Sequence, residues 1–175
     1  MFKFKIERIP DLQQVKIIKY SNYTDKRGSI FTFFDKNIET KLKILTKQKF
    51  VHDKFVYRKK NVLTGIHGDH KTWKIVTCLK GSILQVVVNC DKKSKNFGNH
   101  VMLNLDDKNY TSILIPPYYG NAFLTTSKES LYYYKLAYRG SYLDYNKQFT
   151  YKWNDSRFNI NWPIKNPILS KRDKL

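Results

Sequence analysis

A succession of short segments rich in β-branched and aromatic residues, each closed by a turn signal, limits this chain more than any other feature. Val15–Tyr20, Ser29–Phe34, Lys49–Arg58, Trp73–Leu79, Ser82–Asn89, His100–Leu105, Tyr110–Ile115 and Ser130–Tyr138 share this character. They are separated by Asp25-Lys-Arg-Gly28, Lys80-Gly81, Asp106-Asp-Lys-Asn109, Pro116-Pro117 and Arg139-Gly140. Many short strands with frequent turns predict an all-β antiparallel sandwich or barrel. Asp35–Leu45 reads as a short helix. After Tyr142 the texture changes: Trp153, Trp162-Pro163 and Pro167 stand in an irregular run expected to wrap the barrel. The chain has 175 residues and no internal repeat or linker. The expectation is one domain, with a barrel core near 27–140 and a tail over 142–175.

Hydrophobic residues make up 41% and aromatics 15%, enough for a packed core rather than a disordered chain. The net charge of +19 suits either an anionic partner or a solvated lysine-rich surface. Basic residues are dispersed in pairs such as Lys59-Lys60 and Lys92-Lys93, without a long basic block. A phosphate-bearing small substrate fits that pattern, and no nucleic-acid partner is expected. No apolar run approaches the roughly 20 residues needed to span a bilayer. The opening Met-Phe-Lys-Phe-Lys alternates charged and apolar residues and has no apolar signal core. A cytoplasmic protein without a membrane partner is expected. Cys78 and Cys90 lie in or beside strand-like runs, as buried reduced thiols do.

The chemistry concentrates between Asn61 and Asn89. His67 follows a glycine at the end of one predicted strand, and Lys74 stands near the start of the next. A base and a cation on neighbouring strands of a barrel could remove a proton beside a carbonyl and hold the resulting charge. Each residue also has a structural reading. His67 alone suits a hydrogen-bonded histidine at a strand end. Lys74 shares a strand face with Val76 and Cys78, so it either reaches water or stands in a cavity. Tyr134 belongs to a stripe of Tyr132, Tyr134, Leu136 and Tyr138, which suits core packing as well as a cavity wall. His67 and His70 are three apart on what reads as a turn, with His52 and His100 elsewhere. That spacing gives no metal site. Neither cysteine has the exposed, electropositive setting of a reactive thiolate. Glycine-rich phosphate loops are absent.

The order of motifs resembles the dTDP-4-dehydrorhamnose 3,5-epimerase family, whose fold is a cupin-type jelly roll. The matching pieces begin with Asp25-Lys-Arg27-Gly28 and with Val62-Leu-Thr-Gly-Ile-His67, which stands for the family's Leu-Arg-Gly-Leu-His element. They continue through Lys74-Ile-Val-Thr-Cys-Leu-Lys-Gly81-Ser, Ile115-Pro116, Gly120-Asn-Ala-Phe123 and Tyr134-Lys135. Trp153-Asn-Asp155, Asn161-Trp162-Pro163 and Leu169-Ser170-Lys-Arg-Asp173 complete the set. The Gly-Ile-His-Gly-Asp and Tyr-Tyr-Tyr-Lys-Leu-Ala-Tyr segments look closer still to GDP-4-keto-heptose epimerases of bacterial capsule synthesis.

The resemblance implies roles. His67 matches the general base, Asp173 the carboxylate that orients it, Lys74 the lysine near the developing oxyanion, and Tyr134 the proton donor on the opposite face. Arg27, His52, Lys54 and Asn121 fall in the substrate-binding set, with Arg27 acting across a dimer interface. A homodimer that needs neither cofactor nor metal is implied, with a nucleoside diphosphate 4-keto sugar as substrate, GDP favoured. Three departures stand out: Thr64 where the family usually has arginine, Asn121 where many members have histidine, and Gln85 where aspartate is frequent. Thr64 and Asn121 fall at substrate-binding positions and bear on substrate identity. Two other readings share the fold, a 3,4-ketoisomerase and a non-catalytic cupin that binds sugar nucleotides.

Overall fold

A computed structural model describes residues 3–174. Two antiparallel sheets face each other. The first runs in the order β1 (Phe4–Arg8), β2 (Lys16–Tyr20), β10 (Thr111–Ile115), β7 (Trp73–Lys80), β12 (Glu129–Ala137) and β5 (Phe50–Lys59). The second runs β13 (Phe149–Tyr151), β6 (Leu63–Gly68), β11 (Tyr119–Thr125), β8 (Ser82–Asn89) and β9 (His100–Asp106). A separate hairpin pairs β3 (Asn22–Asp25) with β4 (Gly28–Phe31). This is a jelly roll: the strand pattern predicts an antiparallel sandwich or barrel, and the family resemblance implies this form of it. No helix among the described residues is long and apolar enough to cross a membrane.

Apolar side chains fill three layers. Val76, Cys78, Ile113 and Tyr132 of the first sheet meet Ile83, Val87 and Phe123 of the second. Tyr132 stacks on Phe123 with ring centroids 4.1 Å apart. The outer face of the first sheet is covered by α1 (Lys36–Thr46), whose Ile38 and Leu42 pack against Ile18, Ile75 and Leu114. Asp35 caps that helix by accepting from Ile38 N–H at 2.8 Å, so it precedes the helix rather than opening it. Lys47 ends it in the left-handed region at φ 55°. The outer face of the second sheet is covered by the tail, whose Phe158 and Trp162 are buried against Ile66, Val88 and Leu124. The Trp162 indole donates to Trp153 O at 2.7 Å, which satisfies its buried N–H.

Covered outer faces explain the sequence texture. β8 and β11 are buried on both sides, so their apolar residues run on instead of alternating. β11 also carries Gly120 and Asn121, which hide its strand character; the sequence reading missed it, together with β1, β3 and β13. At Gly120 a Cβ would run into Ile66 on β6, so the glycine permits that close approach. The strand expected over Ser29–Phe34 stops at Phe31. The tail contains one short strand, β13, paired with β6.

One expectation is corrected here. His67 and Lys74 do not lie on neighbouring strands. β6 pairs with β11 and β13, whereas β7 pairs with β10 and β12. The two strands belong to facing sheets, so the two side chains approach one space from opposite walls. The Lys80-Gly81 turn is likewise a corner from one sheet to the other, and Gly81 makes it at φ +77°.

The tail returns along β6. Leu63 N donates to Ile168 O at 3.0 Å, and Ile168 N donates to Asn61 O at 2.8 Å. This backbone clamp delivers residues 170–173 beside His67. Truncating Phe158 to alanine should remove the largest fully buried side chain that the tail contributes and cost about 3–5 kcal/mol. A fall in the urea midpoint at unchanged slope would show it; an unmoved midpoint would mean that the tail does not brace the second sheet.

Candidate active site

A cavity of about 590 Å³ opens between the sheets, within the size range of small-molecule sites. His67, Lys74, Asn121, Tyr134 and Asp173 all line it.

His67 Nε2 and Asp173 Oδ1 are 2.6 Å apart. Asp173 is 4% exposed, and its second oxygen accepts from Ser170 Oγ at 2.7 Å. Burial pushes the Asp173 carboxyl up, but hydrogen bonds from His67, Ser170 and the Gly65 amide outweigh it and hold the group below the ordinary carboxylate value. An aspartate in this position fixes the imidazole tautomer and supports its charged form. The other ring nitrogen, Nδ1, makes no hydrogen bond among the described residues. Gly65 is required by this pairing, because a Cβ there would run into Asp173 Oδ1.

Lys74 is buried, and its ammonium has no hydrogen-bond partner among the described residues. The nearest carboxylate oxygen is Asp69 Oδ2, at 3.8 Å. Burial pushes the Lys74 ammonium below its ordinary value, and the Asp69 charge opposes that push. Asp69 Oδ1 accepts from the amides of Lys71 at 2.9 Å and Thr72 at 2.7 Å in the bend from β6 to β7. A buried cation short of hydrogen-bond acceptors is suited to receive a negative oxygen.

Tyr134 comes from β12 on the first sheet. Its hydroxyl receives Asn121 Nδ2 at 3.3 Å. Burial pushes its phenol well up, so it holds its proton at neutral pH. Cys78 and Cys90 are buried thiols pushed up by desolvation to about 11 and about 12 respectively, away from the setting of a reactive thiolate. Among the described residues, no cluster of three metal-ligating side chains occurs.

The remaining expected residues divide. Lys54 lines the cavity, with Nζ 5.3 Å from the centre of the Tyr142 ring. Thr64 lines it as well. His52 does not: it bonds Tyr138 Oη at 3.1 Å and packs edge-on against Tyr142. It stands two residues from Lys54 on β5 and backs Tyr142, which lines the cavity. Arg27 does not line this cavity either. It lies on the β3–β4 hairpin, paired to Asp25 at 2.6 Å, beside a shallow second pocket. Sequence reasoning missed Arg58, Tyr142, Gln148 and Arg172, all of which line the cavity. It also missed Asp69, for which the Asp in a Gly-Asp-His bend was the available signal. Arg172 bonds Thr150 at 2.8 Å, and its Nη2 is buried without a partner among the described residues.

A jelly roll that encloses a carboxylate-paired imidazole, a buried ammonium and a partly buried phenol has the groups for acid–base chemistry on a small molecule. The family model described as dTDP-4-dehydrorhamnose 3,5-epimerase matches residues 10–175, and the chain belongs to that family. It is 32% identical over 169 residues to the dTDP-4-dehydrorhamnose 3,5-epimerase of Salmonella typhimurium, covering 94% of this chain and 88% of that one. The dTDP-6-deoxy-D-glucose-3,5-epimerase of Legionella pneumophila, solved in complex with dTDP-4-keto-L-rhamnose, superposes with a TM-score of 0.88. It is 27% identical, over 98% of this chain and 90% of that one. The dTDP-4-dehydrorhamnose 3,5-epimerase of Elizabethkingia anophelis gives 0.84 at 27% identity, over 98% of this chain and 93% of that one.

The Asp173 carboxyl predicts an acid effect on stability. Its folded value lies below its unfolded one, so it stabilises above the unfolded value near 3.9 and loses that contribution as pH falls through the folded value. Asp173→Asn should therefore be less stable than the parent at pH 6, with the gap closing below pH 4. Urea titrations at a series of pH values check this, and a gap that stays constant would contradict it.

Proposed function

We propose that the chain is an epimerase that inverts C3, and C5 by the same chemistry, of a nucleoside diphosphate 4-keto sugar. The observation that carries this reading is the single cavity holding a carboxylate-oriented imidazole on one sheet and an acceptor-poor ammonium and a protonated phenol on the other. The C4 ketone acidifies the hydrogens on C3 and C5. His67 removes the proton, and Lys74 stabilises the enolate oxygen with little reorganisation. Tyr134 then delivers a proton to the other face of the carbon. Oxidation state does not change, so the reaction balances without an electron acceptor. Lys54, Arg58 and Arg172 along the same cavity suit a diphosphate.

Within this class we favour a GDP-4-keto-heptose. Support comes from the sequence segments around His67 and Tyr134, and from Thr64 and Asn121 as cavity-lining departures from the family pattern. The relatives above are named for dTDP-linked sugars, so dTDP-4-keto-6-deoxyglucose is the necessary comparison. We further propose a homodimer in which Arg27, remote from its own cavity, serves the partner's.

Incubation in deuterated water with dTDP-, UDP- and GDP-linked 4-keto sugars, followed by NMR, tests the reading. Deuterium at C3 of an inverted product is expected, most rapidly with the GDP-heptose. No uptake from any of these sugars would sink the epimerase reading, and a product carbonyl at C3 would replace it with a ketoisomerase. His67→Asn should abolish uptake at C3. Lys74→Ala should lower turnover by roughly 10²–10³, the scale of one lost oxyanion donor. Because burial lowers the Lys74 value, activity should decline on the alkaline side at a pH below the ordinary lysine value near 10.4. A pH–rate profile flat up to that value would remove the charged lysine from the mechanism.

A further inference from the structure

Behind Tyr134 lies a chain of neutral side chains whose hydrogen-bond direction is fixed from one end. Gln85 on β8 is fully buried, as is Tyr132, and Asn121 on β11 is nearly so. Gln85 Nε2 stands 2.9 Å from Val86 O and 3.0 Å from Ala122 O. Backbone carbonyls only accept, so this end of the side chain must be the amide nitrogen. Its Oε1 accepts from Tyr132 Oη at 2.5 Å. The same Nε2 donates to Asn121 Oδ1 at 2.7 Å, and Tyr132 Oη lies 3.1 Å from that oxygen. Asn121 is thereby held with its oxygen toward Gln85 and its Nδ2 toward Tyr134, 3.3 Å away. Nδ2 can only donate. The Tyr134 oxygen receives, and its own hydrogen must turn elsewhere, into the cavity.

We propose that Gln85 is a positioning residue that acts through Asn121 to aim the Tyr134 hydroxyl hydrogen at the bound sugar. This rests on the reading of Tyr134 as the proton donor. In the transfer step the phenol O–H bond breaks, a C–H bond forms on the sugar, and the enolate electron pair becomes that bond as the C4 carbonyl is restored. The phenolate left behind is met by the Asn121 N–H already facing it. Neither amide titrates near neutral pH, so the inner chain cannot supply the replacement proton. Tyr134 is reloaded from the cavity, and the proton that balances the cycle is the one His67 took at the start.

Gln85→Glu tests the aim while keeping the side chain's shape. The introduced carboxyl carries at most one hydrogen against the amide's two, and the carbonyls of Val86 and Ala122 claim it, so the Asn121 amide must turn and offer its oxygen to Tyr134. The phenol hydrogen then points at Asn121 instead of the sugar. With the 4-keto sugar that the parent protein inverts, in deuterated water, deuterium should still enter recovered starting sugar from the His67 face within a few-fold of the parent rate. Inverted product should fall by roughly 10² or more, the low end of what a positioned acid supplies. Asn121→Asp should likewise lower the ratio of inverted product to exchange. Gln85→Met provides the uncharged version, and urea midpoints identify which variants are folded. An inversion-to-exchange ratio equal to the parent's in any folded variant overturns the proposal. A second readout needs no turnover: in protein labelled with [¹³Cζ]tyrosine, the Tyr134 resonance, assigned by its loss in Tyr134→Phe, should move in Gln85→Glu. A stationary resonance overturns the proposal even where no sugar is turned over, an outcome that by itself counts only against the epimerase reading.

Discussion

The bond between His67 and Asp173 joins the barrel to its tail, and most of the site depends on it. The imidazole rides on β6 in the second sheet, while the carboxylate arrives 106 residues later. Everything between must be placed for the two to meet at 2.6 Å. Gly65 leaves room for the carboxylate, Ser170 occupies its other oxygen, and the backbone clamp of Ile168 on β6 sets the approach. The apolar contacts of Phe158 and Trp162 hold the tail, so packing remote from the cavity decides the orientation of the His67 imidazole.

Across the cavity, the first sheet supplies groups of opposite character. Lys74 is held short of acceptors and Tyr134 is held protonated, both through burial. Water would satisfy either group and erase the difference between them. The architecture therefore keeps the imidazole and the phenol on separate walls of one cavity. That separation suits a reaction in which a proton leaves one face of a carbon and another enters the opposite face.

The strands most legible in the sequence were those with the densest β-branched and aromatic content, such as Ser82–Asn89 and the tyrosine strand. β11 escaped because Gly120, Asn121 and Ala122 carry little strand character; sheet packing, not local preference, holds them. Spacing alone left His67, Lys74 and Tyr134 balanced between structural and chemical readings. A strand face tells which way a side chain points but not whether a cavity lies there. Asp173 entered only through family resemblance, since nothing local marks a tail aspartate as the partner of a distant histidine. Arg58, Arg172 and Tyr142 went unread for the same reason: surface-type residues become cavity wall only when the tail folds back. His52 stands on the same strand as Lys54 but behind Tyr142, a contact that strand periodicity does not reveal.

The return of the tail onto β6 has a kinetic consequence. Contacts so distant along the chain require large loops to close, and such pairings are slow to form. A refolding chain can gain most of its sheet signal before residues 168–173 dock. Recovery of activity should therefore lag recovery of circular dichroism, making the catalytic assay a clock for the last segment to settle.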